Sequence, residues 1–382
     1  MAFWFLRLIF IAKKYTSVRK PFEQESIRKI LLVETALLGD VVAATALIGV
    51  IANIFPNARI TFLVQEKFKA LLQANPFIER VATLNRIEFK SLYRVVRTLR
   101  RSSFDLVVCV SPGVRNALLS LVIGRRYISG YLVNYSSRTY YYQNHEVDAV
   151  GLSGKGFYDK NEHITLRALK SILPLGQIVF RYLEPTLPRL YVSKEKEASL
   201  FEWLKGNDLL SATGINIVIH PGASRAYRQW PAERFKELIT RLHSIYRQRL
   251  NWILIGIPSE QEIIERIEEG LPFGPNKLLG YDLDPVMVLL KHCDLFIGND
   301  SGPKFIADAF NRPLIELLGP LMPSAVGALN ESSVTIYHEV GCNPCPQLTC
   351  LHNGLCITSI SVEEVLSAVI PFIERNSNVS NE

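Results

Sequence analysis

A chain of 382 residues, 48% hydrophobic and 21% charged, has the make-up of a folded protein. It is too long for one hydrophobic core, since cores seldom grow past about 250–300 residues, so two domains are expected. Its net charge of +7 and pI of 9.0 favour anionic partners such as nucleotides, phosphorylated glycans, membrane surfaces or nucleic acid, without choosing among them.

The first 28 residues read as an arm. Phe3, Trp4, Phe5, Leu6, Leu8, Ile9, Phe10 and Ile11 precede Lys13, Lys14, Arg19 and Lys20. The run is shorter than the about 20 apolar residues a membrane span needs. It lacks a positive leading region and a small-residue cleavage site, which speaks against a secretory signal. Aromatic bulk followed by basic residues suits an anchor lying in an anionic membrane surface. An arm packed on the protein's own surface is the other reading. No other segment reads as a membrane span.

Short apolar runs then alternate with helical patterns. KILLV (29–33) precedes a turn and an apolar helix pattern from Asp40 to Ile54; RITFLV (59–64) and FDLVVCV (104–110) follow. Residues 132–165, rich in Tyr, Ser, Asn and Gly, read as a long loop region. The pattern resumes with INIVI (215–219), NWILIG (251–256), CDLFIG (293–298) and PLIELLG (313–319). Such alternation predicts parallel sheets covered on both faces, here two doubly wound α/β domains. They are placed at 29–190 and 191–360, with a C-terminal helix and polar tail over 361–382. No G-x-G-x-x-G or G-x-x-x-x-G-K-[ST] follows any strand, which counts against the commonest nucleotide-binding folds.

Ligands in open α/β sheets sit beyond the carboxyl ends of strands, and three such ends carry informative residues. In LLVETALLGDVV, Gly39 permits a turn and Asp40 opens a helix. Asp40 reads either as a helix cap or as a general base held ionised by the helix end. In HPGASRAYRQWP, Ser224, Arg225 and Arg228 lie in a strand-to-helix loop where guanidinium groups match phosphate oxygens, or are simply solvated. In GNDSGPKF, Asp300, Ser301 and Gly302 precede a helix whose open N–H groups favour an anion, unless the turn is only a cap. Asp300 itself repels phosphate and is better suited to orienting the turn or bonding a hydroxyl. Asp282-Leu283-Asp284 spells D-x-D but reads as a solvated turn.

Together these stretches resemble glycosyltransferase family 9, the lipopolysaccharide heptosyltransferases. The matching pieces, ordered over residues 30–366, are ILLVETALLGDVVAATALI, FPNARITFLV, NPFIERV, HPGASRAYRQWPAERFKEL, GNDSGPKFIADAFNRPLIELLGP and CNPCPQLTCLHNGLCITSISVEEV. The resemblance implies a GT-B fold, with two Rossmann-like domains facing a cleft. It implies an N-terminal domain for the acceptor and a C-terminal domain for a nucleotide sugar, typically ADP-heptose. It also implies inverting transfer that needs no metal or other cofactor. By the same resemblance Asp40 is the base. Ser224, Arg228, Asp300, Ser301 and Gly302 serve the donor, and Glu260 meets its ribose. Phe305 departs from the histidine usual at that position. Lys304, one residue earlier, is the candidate for compensating charge. SPGVRN (111–116) departs from a more polar family stretch, which bears on the acceptor.

Cys342, Cys345, Cys350 and Cys356 begin with C-x₂-C spacing. A structural zinc site and reduced packing cysteines both fit, while disulfides are disfavoured in a cytoplasmic chain. The expectation is a glycosyltransferase at the inner face of a bacterial cytoplasmic membrane, with a lipid-linked glycan acceptor and no nucleic-acid partner. A nucleotide-sugar epimerase and a non-catalytic glycan-binding or scaffold protein are the alternatives.

Overall fold

The computed structural model describes residues 22–85, 89–111, 113–124, 126–134, 139–142, 155–157, 162–175, 187–345 and 349–379. Of the arm expected over residues 1–28, residues 1–21, with the aromatic and basic stretch, lie outside the described residues, while Phe22 meets the Tyr127 ring at 5.1 Å and Ile27 is buried. The chain divides into two compact units, Met1–Tyr191 and Val192–Glu382.

Among the described residues of the first unit, seven strands form one sheet: β1 (Lys29–Val33), β2 (Arg59–Gln65), β3 (Ile78–Leu84), β4 (Leu106–Cys109), β5 (Tyr127–Asn134), β6 (Thr139–Tyr142) and β7 (Lys155–Phe157). Their order is β3-β2-β1-β4-β5-β6-β7. The first five pair in parallel, and β6 and β7 extend the edge antiparallel. Helices α1 (Leu38–Ile54), α2 (Phe89–Arg101), α3 (Val114–Ile123) and α4 (Ile164–Leu169) connect or follow these strands. Leu31, Leu32, Val33, Val107 and Val108 are fully buried. That is why β1 and β4 read as unbroken apolar runs: both sheet faces are covered. Helix α1 carries buried Val41, Val42, Ala44, Leu47, Ile48 and Ile51, the pattern of a helix enclosed nearly all round. The loop expected over 132–165 is interrupted by the end of β5 and by β6 and β7. The tyrosines and threonine of Thr139–Tyr142 favour the extended chain that these edge strands need.

The second unit repeats the plan with every strand parallel. It contains β8 (Ile215–His220), β9 (Leu250–Gly256), β10 (Asn276–Leu279), β11 (Leu295–Asn299), β12 (Leu314–Leu318) and β13 (Val334–Tyr337), in the order β10-β9-β8-β11-β12-β13. Its helices are α5 (Lys194–Gly206), α6 (Ala232–Tyr246), α7 (Gln261–Glu268), α8 (Leu283–His292), α9 (Gly302–Ala309), α10 (Pro323–Val326), α11 (Leu355–Thr358) and α12 (Val362–Val379). Phe235, Leu238, Ile239 and Leu242 of α6 share a core with Ile264 and Ile267 of α7, and with Val365, Val369 and Ile373 of α12. The C-terminal helix is therefore part of this unit's core. Asp282, one half of the D-x-D, is the N-cap of α8; the other half, Asp284, pairs with Lys196 at 2.7 Å.

In both sheets the winding direction reverses between the first strand and its fourth-strand neighbour, at β1 and β4 and again at β8 and β11. Connections leave such a pair toward opposite sides and open a crevice at its carboxyl end.

Trp230, directly before α6, fixes the end of one such connection. Its ring is fully buried and edge-on to Phe235 at 4.8 Å, and its Nε1–H donates to Ile360 O at 2.9 Å. Trp230→Ala is expected to cost about 3–5 kcal/mol, read as a lower urea midpoint with an unaltered slope.

Candidate functional site

In the first unit the chain leaves β1 at Val33, passes Glu34 and Thr35, and enters α1 at Leu38. Gly39 and Asp40 are thus the second and third residues of the helix. This corrects two expectations: Gly39 makes no turn, and Asp40 is not the N-cap. The Asp40 Oδ2 instead accepts from the Leu37 N–H at 3.1 Å, the reach-back that an acid makes from the third helical position. A cavity of about 30 Å³ is lined by Glu34, Asp40, Val110, Ser111, Ile164, Arg167 and Ala168. It sits where β1 and β4 end.

Burial raises the Asp40 carboxyl above its usual value, against the pull of the Leu37 N–H and the Arg167 guanidinium. Glu34 is enclosed completely. Burial, and then the charge of Asp40, push it up to about 7. Its Oε1 accepts from the Ala36 N–H at 2.8 Å and from Asn116 Nδ2 at 3.1 Å. The same Asn116 donates to Ser111 Oγ at 2.9 Å and accepts from the Thr35 N–H and hydroxyl at 3.1 and 2.6 Å. One buried amide thereby ties the segment after β1 to the segment after β4.

The second unit carries its cluster at the corresponding position. Asn299, the last residue of β11, accepts from the Trp230 N–H at 3.0 Å and donates to Pro221 O at 2.7 Å. It holds the loop after β8 against the turn after β11. His220 ends β8, with Nε2 3.1 Å from Glu260 Oε2 and Nδ1 2.9 Å from Ser301 Oγ. Glu260 is lowered in pKa: the hydrogen bond and charge of His220 and the Ile257 N–H outweigh its burial. A carboxylate only accepts, so Nε2 carries a hydrogen; in the neutral ring Nδ1 then takes the Ser301 hydroxyl hydrogen. Gly222 lies beside this set, and a β-carbon there would meet Glu260 Oε1 at 1.9 Å.

The turn itself is built from charge. Asp300 Oδ2 lies 3.9 Å from Arg228 Nη1, and its Oδ1 lies 3.7 Å from Lys304 Nζ. Ser301 caps α9 without a side-chain bond to it, so the N–H groups of its first turn, Pro303 having none, keep their anion-binding capacity. Ser224 and Arg225 are exposed in the loop, and Arg228 is partly buried there.

The family pattern described as glycosyltransferase family 9 (heptosyltransferase) matches residues 92–355. The chain belongs to glycosyltransferase family 9. It is a glycosyltransferase. It is 23% identical over 360 residues to lipopolysaccharide heptosyltransferase 1 of Campylobacter coli, covering 89% of this chain and 98% of the relative. The solved structure of a family 9 glycosyl transferase from Veillonella parvula superposes with a TM-score of 0.77 at 20% identity, covering 94% of this chain and 100% of that one. That of the Escherichia coli ADP-heptose lps heptosyltransferase II gives 0.70 at 19%, covering 91% and 99%. With its two parallel-sheet Rossmann-like units, the family 9 chain has the GT-B fold.

Of the residues expected in the donor turn of this family 9 chain, Arg228, Asp300, Ser301 and Gly302 come together at the end of β11. Glu260 joins them through His220, which the sequence marked only as a strand end. Lys304 is the correction. It is fully buried, 2.8 Å from the equally buried Glu316, and its ammonium also donates to Val326 O and packs over the Phe305 ring at 3.8 Å. Helix geometry turns it into the core, so it supports Asp300 from behind and has no charge to lend a ligand. Burial raises Glu316, opposed by Lys304. All six cysteines are free thiols. Cys350 Sγ accepts from the N–H groups of His352 and Gly354 at 3.4 and 3.2 Å, and Cys356 is buried. Among the described residues no group of three or more His, Cys, Asp and Glu is placed to hold a metal ion.

Lys304→Met leaves a buried carboxyl without its counter-ion and is expected to cost about 3–5 kcal/mol. The variant's stability should fall as pH rises above about 4, because folded Glu316 then keeps a proton that the unfolded chain releases. Urea titrations from acid to neutral pH check both the size and the sign.

Proposed function

We propose that this glycosyltransferase moves heptose, or a closely related sugar, from an ADP-linked donor to a lipopolysaccharide-type, lipid-linked glycan acceptor, with inversion and without a metal. The observation that carries the reading is Asp40, a carboxylate set in a small cavity where β1 and β4 part, with Arg167 favouring its charged form. A single displacement needs such a group. Asp40 takes the proton of an acceptor hydroxyl as that oxygen attacks the anomeric carbon. The bond from that carbon to the diphosphate breaks, and the leaving group departs with the electron pair.

The second unit suits the donor. As negative charge grows on the departing diphosphate, the N–H groups opening α9 and the Arg228 guanidinium are the groups to stabilise it. Those charges support transfer without a metal. Glu260 is the group for the ribose; on binding, a ribose hydroxyl competes with His220 for its oxygens. The name of the Escherichia coli relative supports ADP-heptose as donor, and that of the Campylobacter coli relative supports a lipopolysaccharide acceptor. Among the described residues no helix is long and apolar enough to cross a membrane. The charge of +7 and the aromatic, basic arm in the sequence support work at the anionic inner surface of the cytoplasmic membrane.

Asp40→Asn keeps an oxygen to accept from the Leu37 N–H but removes the base. It should lower kcat by about 10²–10⁴-fold while calorimetric ADP binding in EDTA persists. Wild-type transfer should fall on the acid side, with its limb above the usual aspartate value of about 3.9, as the raised Asp40 carboxyl takes up a proton. Transfer by Asp40→Asn at the wild-type rate would leave Asp40 a helix-end residue only. The anomeric configuration of the product, read by NMR, tests inversion.

A further inference from the structure

Transfer with Asp40 as the base leaves one buried acid unused. Glu34 is fully enclosed at the end of β1, and its Oε1 is bonded to Ala36 and Asn116. Its Oε2 is buried without a well-formed hydrogen bond, with the Ser111 hydroxyl close enough to the carboxyl to lower its pKa. An orphaned buried oxygen is costly, so its place in a native fold calls for a partner from outside the chain. Glu34 lines the same cavity as Asp40, and the cavity's 30 Å³ is of the size for a single oxygen; about 10–15 Å³ already admits a water. Asp40, Ser111 and Arg167 offer the other polar groups, and Val110, Ile164 and Ala168 close the sides.

We propose that Glu34 is a second acceptor-binding residue, whose Oε2 hydrogen-bonds the hydroxyl oxygen lodged beside Asp40. The proposal rests on the transfer reading, which makes that oxygen the acceptor's. The ionisable groups around Glu34 are Asp40 on α1, Arg167 on α4 and the Cys109 thiol on β4. Burial and the charge of Glu34 push that thiol up to about 12, so it stays neutral. Ser111 and Asn116 do not ionise, and their hydrogen bonds to Glu34 oppose the rise without cancelling it. With burial and the Asp40 charge holding its proton up to about pH 7, Glu34 presents an O–H to the cavity below that pH. The lodged oxygen accepts from Glu34 while giving its own hydrogen to Asp40. Above that pH Glu34 has no hydrogen to give and adds a second negative charge. Glu34 exchanges no proton with the acceptor during transfer; its work is to seat the oxygen.

The test is the pH dependence of the acceptor KM at saturating donor, in the full-length wild type and in Glu34→Gln. Glutamine keeps an oxygen for Ala36 and Asn116 and offers an N–H donor at every pH. The wild-type acceptor KM should climb about three- to tenfold through and above pH 7, with kcat moving less, and the climb should be absent from Glu34→Gln. A climb that survives in Glu34→Gln, or a wild-type KM flat with pH, overturns the proposal. A purely structural role would shift kcat and Tm together with no such pH signature. Infrared spectra of the protein alone separate this proposal from the transfer reading. A protonated-carboxyl band that titrates near pH 7 in wild type and is missing from Glu34→Gln supports the donor O–H even if ADP-heptose is not the substrate. Its absence from wild type overturns it.

Discussion

A parallel sheet that winds outward in both directions must part its connections somewhere, and this chain does so at β1 and β4 and again at β8 and β11. Each parting leaves two strand ends side by side with their following segments turning away. Past the first residue, backbone groups there run out of ladder partners, and some are satisfied by side chains. Asn116 does this in one unit and Asn299 in the other. Each is a buried amide that both donates and accepts. Aspartate offers no donor at such a place and leucine offers nothing. The residues of chemical interest stand on the segments these two amides hold.

The two units solve different electrostatic problems at equivalent positions. In the first, two acids are brought together in a small cavity with a guanidinium nearby; burial raises both carboxyls, and the charge of Asp40 raises Glu34 further. In the second, an acidic turn is held between a buried ammonium behind it and a partly buried guanidinium beside it. The first arrangement suits giving and taking hydrogens. The second offsets the turn's own negative charge and leaves open N–H groups to face an anion.

The central strands were legible because strands covered on both faces become apolar runs; KILLV, INIVI and CDLFIG all mark them. Several of the strands that escaped notice lie at or near the edges of their sheets. IERVATL of β3 and VTIY of β13 are half-solvated, and NKLL of β10 is short, so none shows an unbroken apolar run. Asp40 and the Asp300 turn were legible as polar residues interrupting apolar patterns at strand ends. The partnerships were not. Nothing local in LLVET says that Glu34 will share a cavity with Arg167, and nothing in VIHPG says that His220 will stand between Glu260 and Ser301. Lys304 misled for a related reason. A lysine beside a ligand turn reads as a ligand group, and only the helix's rotation, with Glu316 waiting in the core, shows where its charge is used.

Trp230 ties the arginine-bearing loop to Ile360 O, a carbonyl 130 residues later in the chain, and the Arg234 guanidinium donates to the carbonyls of Thr358 and Ile360. Synthesis runs from the N-terminus, and domains fold as they emerge. The residues that line the cavity of Asp40 and Glu34 all belong to the first unit, before residue 192. The loop of the second unit finds its Asn299 partner earlier in the chain and its Thr358 and Ile360 partners only later. A nascent chain thus has every residue that lines the Glu34–Asp40 cavity before the second unit's loop has all its anchors, and a chain ending short of residue 358 would lack the last of them.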